Sequence, residues 1–104
     1  MNGMRVFLDD ERCAPPGWVQ TRWPEEVIAL ICQGNVVEIS LDHDLGDDWH
    51  GTGYTVLTWI EEQVMVSGLR PPVLRVHSAN PAARERMLTA IDAIYRLAAG
   101  REDC

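Results

Sequence analysis

Carboxylates and histidines are concentrated at three points of the sequence, each directly after a short apolar segment. The three clusters are Asp9-Asp10, Asp42-His43-Asp44 and His77-Ser78. Carboxylate oxygens are the ligands that Mg²⁺ and Mn²⁺ prefer, and histidine binds metals or moves protons near neutral pH. The pattern predicts one divalent-metal site for phosphate chemistry, with Mg²⁺ or Mn²⁺ as the cofactor.

The clusters divide into ligands and proton-transfer groups. Carboxylates that crowd together repel one another unless a cation joins them. The predicted metal ligands are Asp9, Asp10, Asp42 and Asp44. The predicted catalytic residues are His77, His43 and Asp42, with His77 as the first candidate for proton transfer and His43 as the second.

A phosphate-binding element is predicted beside His77. Asn80 is a favoured N-cap residue and Pro81 a favoured first helical residue, so a helix begins there. Backbone amides at a helix N-terminus attract phosphate, and the Ser78 hydroxyl can add a hydrogen bond. Arg12 either reaches the same phosphate or pairs with the nearby carboxylates, and Arg75 has the same two alternatives. The predicted phosphate-binding residues are Ser78, Asn80 and Arg12.

Alternating strands and helices are needed to position these clusters. Apolar segments rich in branched residues predict strands, whereas turn residues and 3.6-residue periodicity predict helices. The predicted strands are residues 4–8, 18–21, 36–42 and 73–77. The predicted helices are residues 24–33, 54–67 and 81–99, closed by Gly34, Gly68 and Gly100.

This order predicts an α/β fold with a parallel sheet, in which ligands bind beyond the carboxyl ends of the strands. Side chains alternate between the faces of a strand. If the strands are in register, one face of the sheet carries three groups of residues, most of them polar. These are Arg5, Phe7 and Asp9; Glu38, Ser40 and Asp42; and Val73, Arg75 and His77. So polar a face is either partly uncovered or covered by another subunit, which in the second case would be a homodimer partner or a partner subunit.

Bulk properties narrow the classes of function. A length of 104 residues predicts one domain over residues 1–100, with a short tail over residues 101–104. The net charge of -7 argues against general nucleic-acid binding, but not against recognition of a terminal phosphate. All nine basic residues are arginine. The absence of a membrane-length apolar segment and of a signal-peptide pattern predicts a cytoplasmic protein without membrane association.

Taken together, the motifs resemble response-regulator receiver domains, and more closely the divergent cyclic-phosphate processing receiver domain. The matching segments are residues 8–11, 40–46, 53–57 and 76–80, which read LDDE, SLDHDLG, GYTVL and VHSAN. The resemblance implies a small receiver-like (flavodoxin-like) parallel sheet of about four strands with three helices, truncated relative to a full receiver.

The resemblance also implies roles for individual residues. In receivers the first acidic pair binds Mg²⁺, here Asp9 and Asp10, and the aspartate that ends the central strand, here Asp42, accepts a phosphoryl group. Ser78 stands where a serine or threonine contacts the phosphate. The receiver lysine is missing from this sequence, a proline turn replaces the first helix, and His43 and His77 are additions that suit acid/base chemistry.

The divergent branch implies action on cyclic phosphates. The leading hypothesis is metal-dependent hydrolytic opening of a cyclic phosphate, on a 2′,3′-cyclic phosphate RNA end in RNA repair or on a cyclic nucleotide. The substrate would be a phosphate-containing small molecule or an RNA terminus. The alternative is a non-catalytic receiver-like module that binds phosphate or a partner, or that signals.

Overall fold

A computed structural model describes residues 3–42 and 52–102 of the chain. Four strands form one parallel sheet in the order β2-β1-β3-β4. The strands are β1 (Met4–Leu8), β2 (Val19–Thr21), β3 (Val36–Leu41) and β4 (Val73–Val76). The helices are α1 (Pro24–Gln33), α2 (Gly53–Ser67) and α3 (Pro81–Glu102). The predicted α/β class, with four parallel strands and three helices within these residues, is confirmed.

Local sequence signals account for most helix ends. Pro24 is the first residue of α1, and the helix ends at Gly34, whose φ is 89°. The Thr52 hydroxyl accepts a hydrogen bond from the Tyr54 amide to cap α2, and Gly68 ends it in the left-handed conformation. The prediction that Gly100 ends the last helix is wrong, because α3 continues to Glu102. Glycine weakens a helix by only about 1 kcal/mol, which the neighbouring residues of a long helix can offset.

A single apolar core lies between the sheet and the helices. Branched residues from β1, β3 and β4 face one way and pack against the apolar faces of α1, α2 and α3. The fully buried members include Val6, Leu8, Ile39, Leu41, Val27, Leu57, Ile60, Met87 and Ile94. Because one cluster contains residues from all three helices, the helices form one layer on one face of the sheet.

The handedness of the connections explains why α1 and α2 share a face. The β2–β3 and β3–β4 connections progress across the sheet in one direction, whereas the β1–β2 connection goes in the other. Parallel connections are right-handed in about 98% of cases, so a helix between β1 and β2 would lie on the opposite face. Residues 9–18, which include Pro15 and Pro16, make this connection without a helix. Within the described residues, no helix covers that face.

The uncovered face carries the polar residues that the alternation predicted. The ladder pairs Arg5 with Glu38 and Phe7 with Ser40, and it continues from Glu38 to Val73. The Glu38 carboxylate pairs with the Nε atoms of Arg5 and Arg75. The salt-bridge alternative for Arg75 is therefore observed, although the partner is Glu38 and not a carboxylate of the acidic clusters.

No helix of the described residues combines the length and apolarity needed to cross a membrane.

Close packing links the start of α2 to the end of β3. A Cβ atom added at Gly53 would lie 2.2 Å from the carbonyl oxygen of Asp42 and 2.9 Å from the Met87 methyl group. Nothing lies within 4 Å of a Cβ added at Gly100. Gly53→Ala should lower the free energy of unfolding by about 1–3 kcal/mol, because backbone must move to admit the methyl group.

Gly100→Ala is the matched control. It should raise the free energy of unfolding by about 0.5 kcal/mol, because alanine favours a helix over glycine and meets no neighbour here. Urea unfolding of the three proteins measures both effects. Equal destabilisation by the two substitutions would contradict the close approach of α2 to Asp42.

Candidate metal and phosphate site

Three residues at the carboxyl end of the sheet continue the strand hydrogen bonding. Asp9, Asp42 and His77 directly follow the last residues of β1, β3 and β4, respectively. The Asp9 amide donates to the Thr21 carbonyl, and the Asp42 amide donates to the Leu8 carbonyl. The His77 amide donates to the Leu41 carbonyl at 2.9 Å. The backbone therefore holds all three residues in register at one edge.

The side chains of these residues converge. One ligand atom from each of Asp9, Asp42 and His77 lies within 4.8 Å of the other two. Two carboxylates and an imidazole at such a separation suit a divalent cation that accepts both oxygen and nitrogen ligands. Parallel strands brought together residues that are 33 to 68 positions apart in the chain. The site is named here the Asp9–Asp42–His77 cluster.

The imidazole of His77 is fixed on three sides. Its Nδ1 lies 2.7 Å from the Ser40 hydroxyl, and its Nε2 lies 3.1 Å from Oδ2 of Asp9. The ring of Phe7 stacks on it with a centroid separation of 4.3 Å and an interplanar angle of 4°. These contacts leave the ring little rotational freedom and direct Nε2 into the cluster.

Ser40 and Phe7 were not among the predicted site residues. Both lie two residues before a cluster carboxylate on the same strand, Asp42 and Asp9 respectively, and so share its face. This alternation was the available signal. It placed Phe7 and Ser40 on the polar face, but it did not indicate that the ring of a residue from β4 would lie against them.

Asp9 is an ionised, buried carboxylate. Its side chain is 1% exposed, and its Oδ1 accepts hydrogen bonds from the amides of Glu11 and Arg12 at 2.8 and 2.9 Å. Burial raises the pKa of Asp9, but the two amides and then His77 outweigh it, so the pKa lies below 3.8. The carboxylate is therefore held in the form that binds a cation.

Asp10 adds a second observation that fits a cation. Its Oδ1 is buried without a hydrogen-bond partner among the described residues. A buried, unpaired carboxylate oxygen is costly unless something positively charged approaches it. Asp10 does not belong to the converging three-residue cluster. Asp10 directly follows Asp9 in the sequence and remains a predicted ligand.

The predicted phosphate-binding residues lie around the start of α3 and the edge of the cluster. The Asn80 side chain accepts a hydrogen bond from the Ala83 amide, so it caps α3 as predicted. The Ser78 hydroxyl is buried and accepts from the Asn80 amide at 3.2 Å. Both side chains thus stabilise the helix start, and the hydroxyl proton of Ser78 remains available to an acceptor.

Arg12 lies at the rim of the cluster. Its Nη1 donates to the His77 carbonyl at 3.4 Å while the side chain stays exposed. One such contact leaves most of the five N–H donors of a guanidinium for other acceptors. Among the described residues, Arg12 thus has donors at the rim of the cluster that an incoming anion could use. The predicted residues His43 and Asp44 lie outside the described residues.

The environment of Asp9 predicts a pH dependence of stability. A carboxyl whose native pKa lies below its unfolded value stabilises the fold above the unfolded pKa. That contribution is lost as the pH falls through the native pKa. In metal-free protein, Asp9→Asn should therefore be less stable than the wild type above pH 3.8, and the difference should shrink below that pH.

Urea unfolding from pH 6 to pH 2.5 in the presence of a chelator measures this difference. Asp92→Asn is the matched control, because Asp92 is exposed on α3 and pairs only with Arg96 in the described contacts. It should change stability by less than about 0.5 kcal/mol. A difference for Asp9→Asn that does not vary with pH would contradict an ionised Asp9.

Comparison with known proteins agrees with the fold and with the motifs at this edge. The family model of the cyclic-phosphate processing receiver domain matches residues 4–93. The matched region includes β1, β3 and β4. It also includes all three residues of the Asp9–Asp42–His77 cluster. Neither a search of curated proteins nor a search of solved structures found a match. The chain belongs to the cyclic-phosphate processing receiver domain family.

Proposed function

We propose that the chain opens a cyclic phosphate by metal-dependent hydrolysis, on an RNA end or on a cyclic nucleotide. The observation that carries this proposal is the convergence of Asp9, Asp42 and His77 within 4.8 Å. Two carboxylates suit a cation, and an imidazole suits proton transfer. The family description names cyclic phosphates as the substrate class.

Asp9 and Asp42 would hold Mg²⁺ or Mn²⁺, with Asp10 and Asp44 as further ligands. The buried, unpaired Oδ1 of Asp10 and the ionised state of Asp9 support this assignment. A cation bound there would polarise a phosphate oxygen and lower the pKa of a bound water.

His77 would transfer the proton that the reaction requires. Ser40 and Phe7 hold its ring with Nε2 directed into the cluster. When a water oxygen bonds to phosphorus, one P–O bond to the ribose breaks; the water gives up one proton and the departing oxygen gains one, and Nε2 can carry this transfer. The products are a phosphomonoester and a free hydroxyl. Arg12 and the backbone amides at the start of α3 would bind the remaining phosphate oxygens.

A non-catalytic receiver-like module is the second candidate. The positions of Asp9, Asp10 and Asp42 match the acidic residues of receivers, in which the last accepts a phosphoryl group. The chain contains no lysine to neutralise that group. Stoichiometric, Mg²⁺-dependent labelling of Asp42 by a small acyl phosphate would favour this candidate over hydrolysis.

Binding of a metal should stabilise the fold. A ligand at 100-fold excess over its Kd adds about 2.7 kcal/mol to the free energy of unfolding, on the order of 10 °C in Tm for a domain of this size. Millimolar Mn²⁺ or Mg²⁺ should raise the Tm of the wild type. Asp42→Asn should reduce the shift and should raise the Tm of the metal-free protein, because it removes repulsion from Asp9.

Asp92→Asn controls for the loss of one negative charge. Asp92 pairs with Arg96 on α3, and the substitution should leave the full metal-induced shift. Differential scanning fluorimetry with and without metal compares the three proteins. Identical melting curves of the wild type with and without millimolar metal would rule out this site.

Loss of His77 should slow turnover strongly without abolishing metal binding. Purified protein with Mn²⁺ or Mg²⁺ should open 2′,3′-cyclic nucleotides or short RNAs with such ends. His77→Gln should lower the rate by about 10² to 10⁴, since glutamine forms hydrogen bonds but cannot transfer a proton. Chromatographic separation of the cyclic and opened products measures the rate.

The same variant separates the two roles that an imidazole can have at this position. Metal-induced stabilisation that persists in His77→Gln agrees with proton transfer, whereas its disappearance would make His77 a ligand. Full activity of the variant would assign proton transfer elsewhere, with His43 next to be tested. Tight binding of a cyclic phosphate without turnover would favour the non-catalytic module.

A further inference from the structure

The Asp9–Asp42–His77 cluster adjoins the uncovered face of the sheet. Phe7 and Ser40, which hold the His77 ring, both project from that face. All three helices pack on the other face. A substrate whose phosphate occupies the cluster can therefore extend along the uncovered face without meeting any helix of the described residues.

Away from the cluster, the charged residues described on this face are two arginines and one carboxylate. Arg5, Glu38 and Arg75 are named here the arginine row. The Nε atoms of the two arginines contact the two oxygens of the single carboxylate. The arginine side chains are 57% and 63% exposed, whereas the Glu38 side chain is 14% exposed. The row thus has a formal charge of +1 in a chain of charge -7.

The contacts of the arginine row orient its guanidinium groups. A guanidinium has five N–H donors, and a contact through Nε leaves the two terminal nitrogens to other acceptors. Glu38 therefore fixes the position of both groups while it neutralises only one. Arginine forks held in this way suit the oxygens of a phosphodiester.

An aromatic ring lies beside the row. Trp18 meets the Phe7 ring edge to face at a centroid separation of 6.4 Å, and the Arg5 guanidinium lies 6.0 Å from the Trp18 ring centre. Trp18 is only partly buried. An exposed indole surface next to cations is a combination on which bases of single-stranded nucleic acids stack.

We propose that the arginine row and Trp18 bind the nucleotides that precede a cyclic phosphate at the end of single-stranded RNA. Arg75 lies two residues before His77, about 6.6 Å along β4. The next phosphodiester of a strand held at the cluster can therefore meet the row. This inference rests on the proposed function and selects an RNA end over a free cyclic nucleotide as the preferred substrate.

The charge of the arginine row distinguishes between occupants. A second copy of the chain whose arginine row docked on this one would bring like charges together, which repulsion disfavours. An anionic strand gains from the same charge. The whole chain is also too acidic for general nucleic-acid binding, so the terminal phosphate must supply the anchor.

The test compares two substrates that share the reacting group. These are adenosine 2′,3′-cyclic phosphate and an adenosine trinucleotide that ends in the same cyclic phosphate. The wild type should show a KM at least about 10-fold lower for the trinucleotide, since it alone reaches the row. Arg75→Gln and Trp18→Leu should each reduce this KM ratio, by about 3- to 10-fold.

Arg96→Gln is the matched control, because Arg96 is also an exposed arginine paired with one carboxylate, but it lies on α3. It should leave the KM ratio at the wild-type value.

Salt dependence separates the phosphate contact of Arg75 from the stacking contact of Trp18. Each phosphate contact contributes about -0.7 to the slope of log affinity against log salt for a single strand. Arg75→Gln should reduce that slope for the trinucleotide, whereas Trp18→Leu should leave it.

Binding of a fluorescently labelled trinucleotide with a 3′-phosphate, measured by anisotropy, makes the test independent of turnover. Opening of both substrates with equal KM, or equal effects of Arg75→Gln and Arg96→Gln, would overturn the inference and leave the proposed function intact. Absence of turnover with trinucleotide binding that depends on Arg75 and Trp18 would overturn the function and retain the RNA surface. Absence of both turnover and binding would overturn both.

Discussion

Repulsion between the carboxylates of Asp9 and Asp42 is the constraint to which the rest of the site is adapted. Both residues follow neighbouring parallel strands, and the amide of Asp42 is hydrogen-bonded to the carbonyl of Leu8, so the backbone does not let them separate. The amides of Glu11 and Arg12 stabilise the ionised form of Asp9, and Nε2 of His77 is a further partner of this carboxylate. These groups keep Asp9 charged, which a cation requires, without neutralising it completely.

The one-sided arrangement of the helices determines what surrounds that site. The helical layer provides the apolar core on one face, so the strand residues there are Val6, Leu8, Ile39 and Leu41. The other face has no helical cover among the described residues, and its polar side chains contact one another. Phe7 is an apolar residue on this polar face. It is nearly buried because His77 stacks on it and Trp18 packs against its edge. The same contacts that bury this ring hold the imidazole of the cluster.

Much of this architecture follows from local patterns. The strands, the order of elements, the N-cap at Asn80 and the ends of α1 and α2 all have signals within a few residues, because caps, turns and side-chain alternation act over short distances. The extension of α3 beyond Gly100 had no such signal, since the cost of one glycine is comparable to the stabilisation that neighbouring residues provide. The partner of Arg75 was also not determined locally, because Glu38 reaches it only through the register of β3 and β4.

The amino-acid sequence by itself determined the α/β order, the parallel sheet and the three strand ends at which Asp9, Asp42 and His77 stand. It also determined that one face would be polar, because alternation along each strand does not depend on its neighbours. Only the tertiary structure decided that the His77 ring lies between Ser40, Asp9 and Phe7, and that Glu38 joins two arginines. These contacts connect β1, β3 and β4 across 33 to 70 positions of the chain, and no local pattern specifies which rotamers meet when three separate strands come into register.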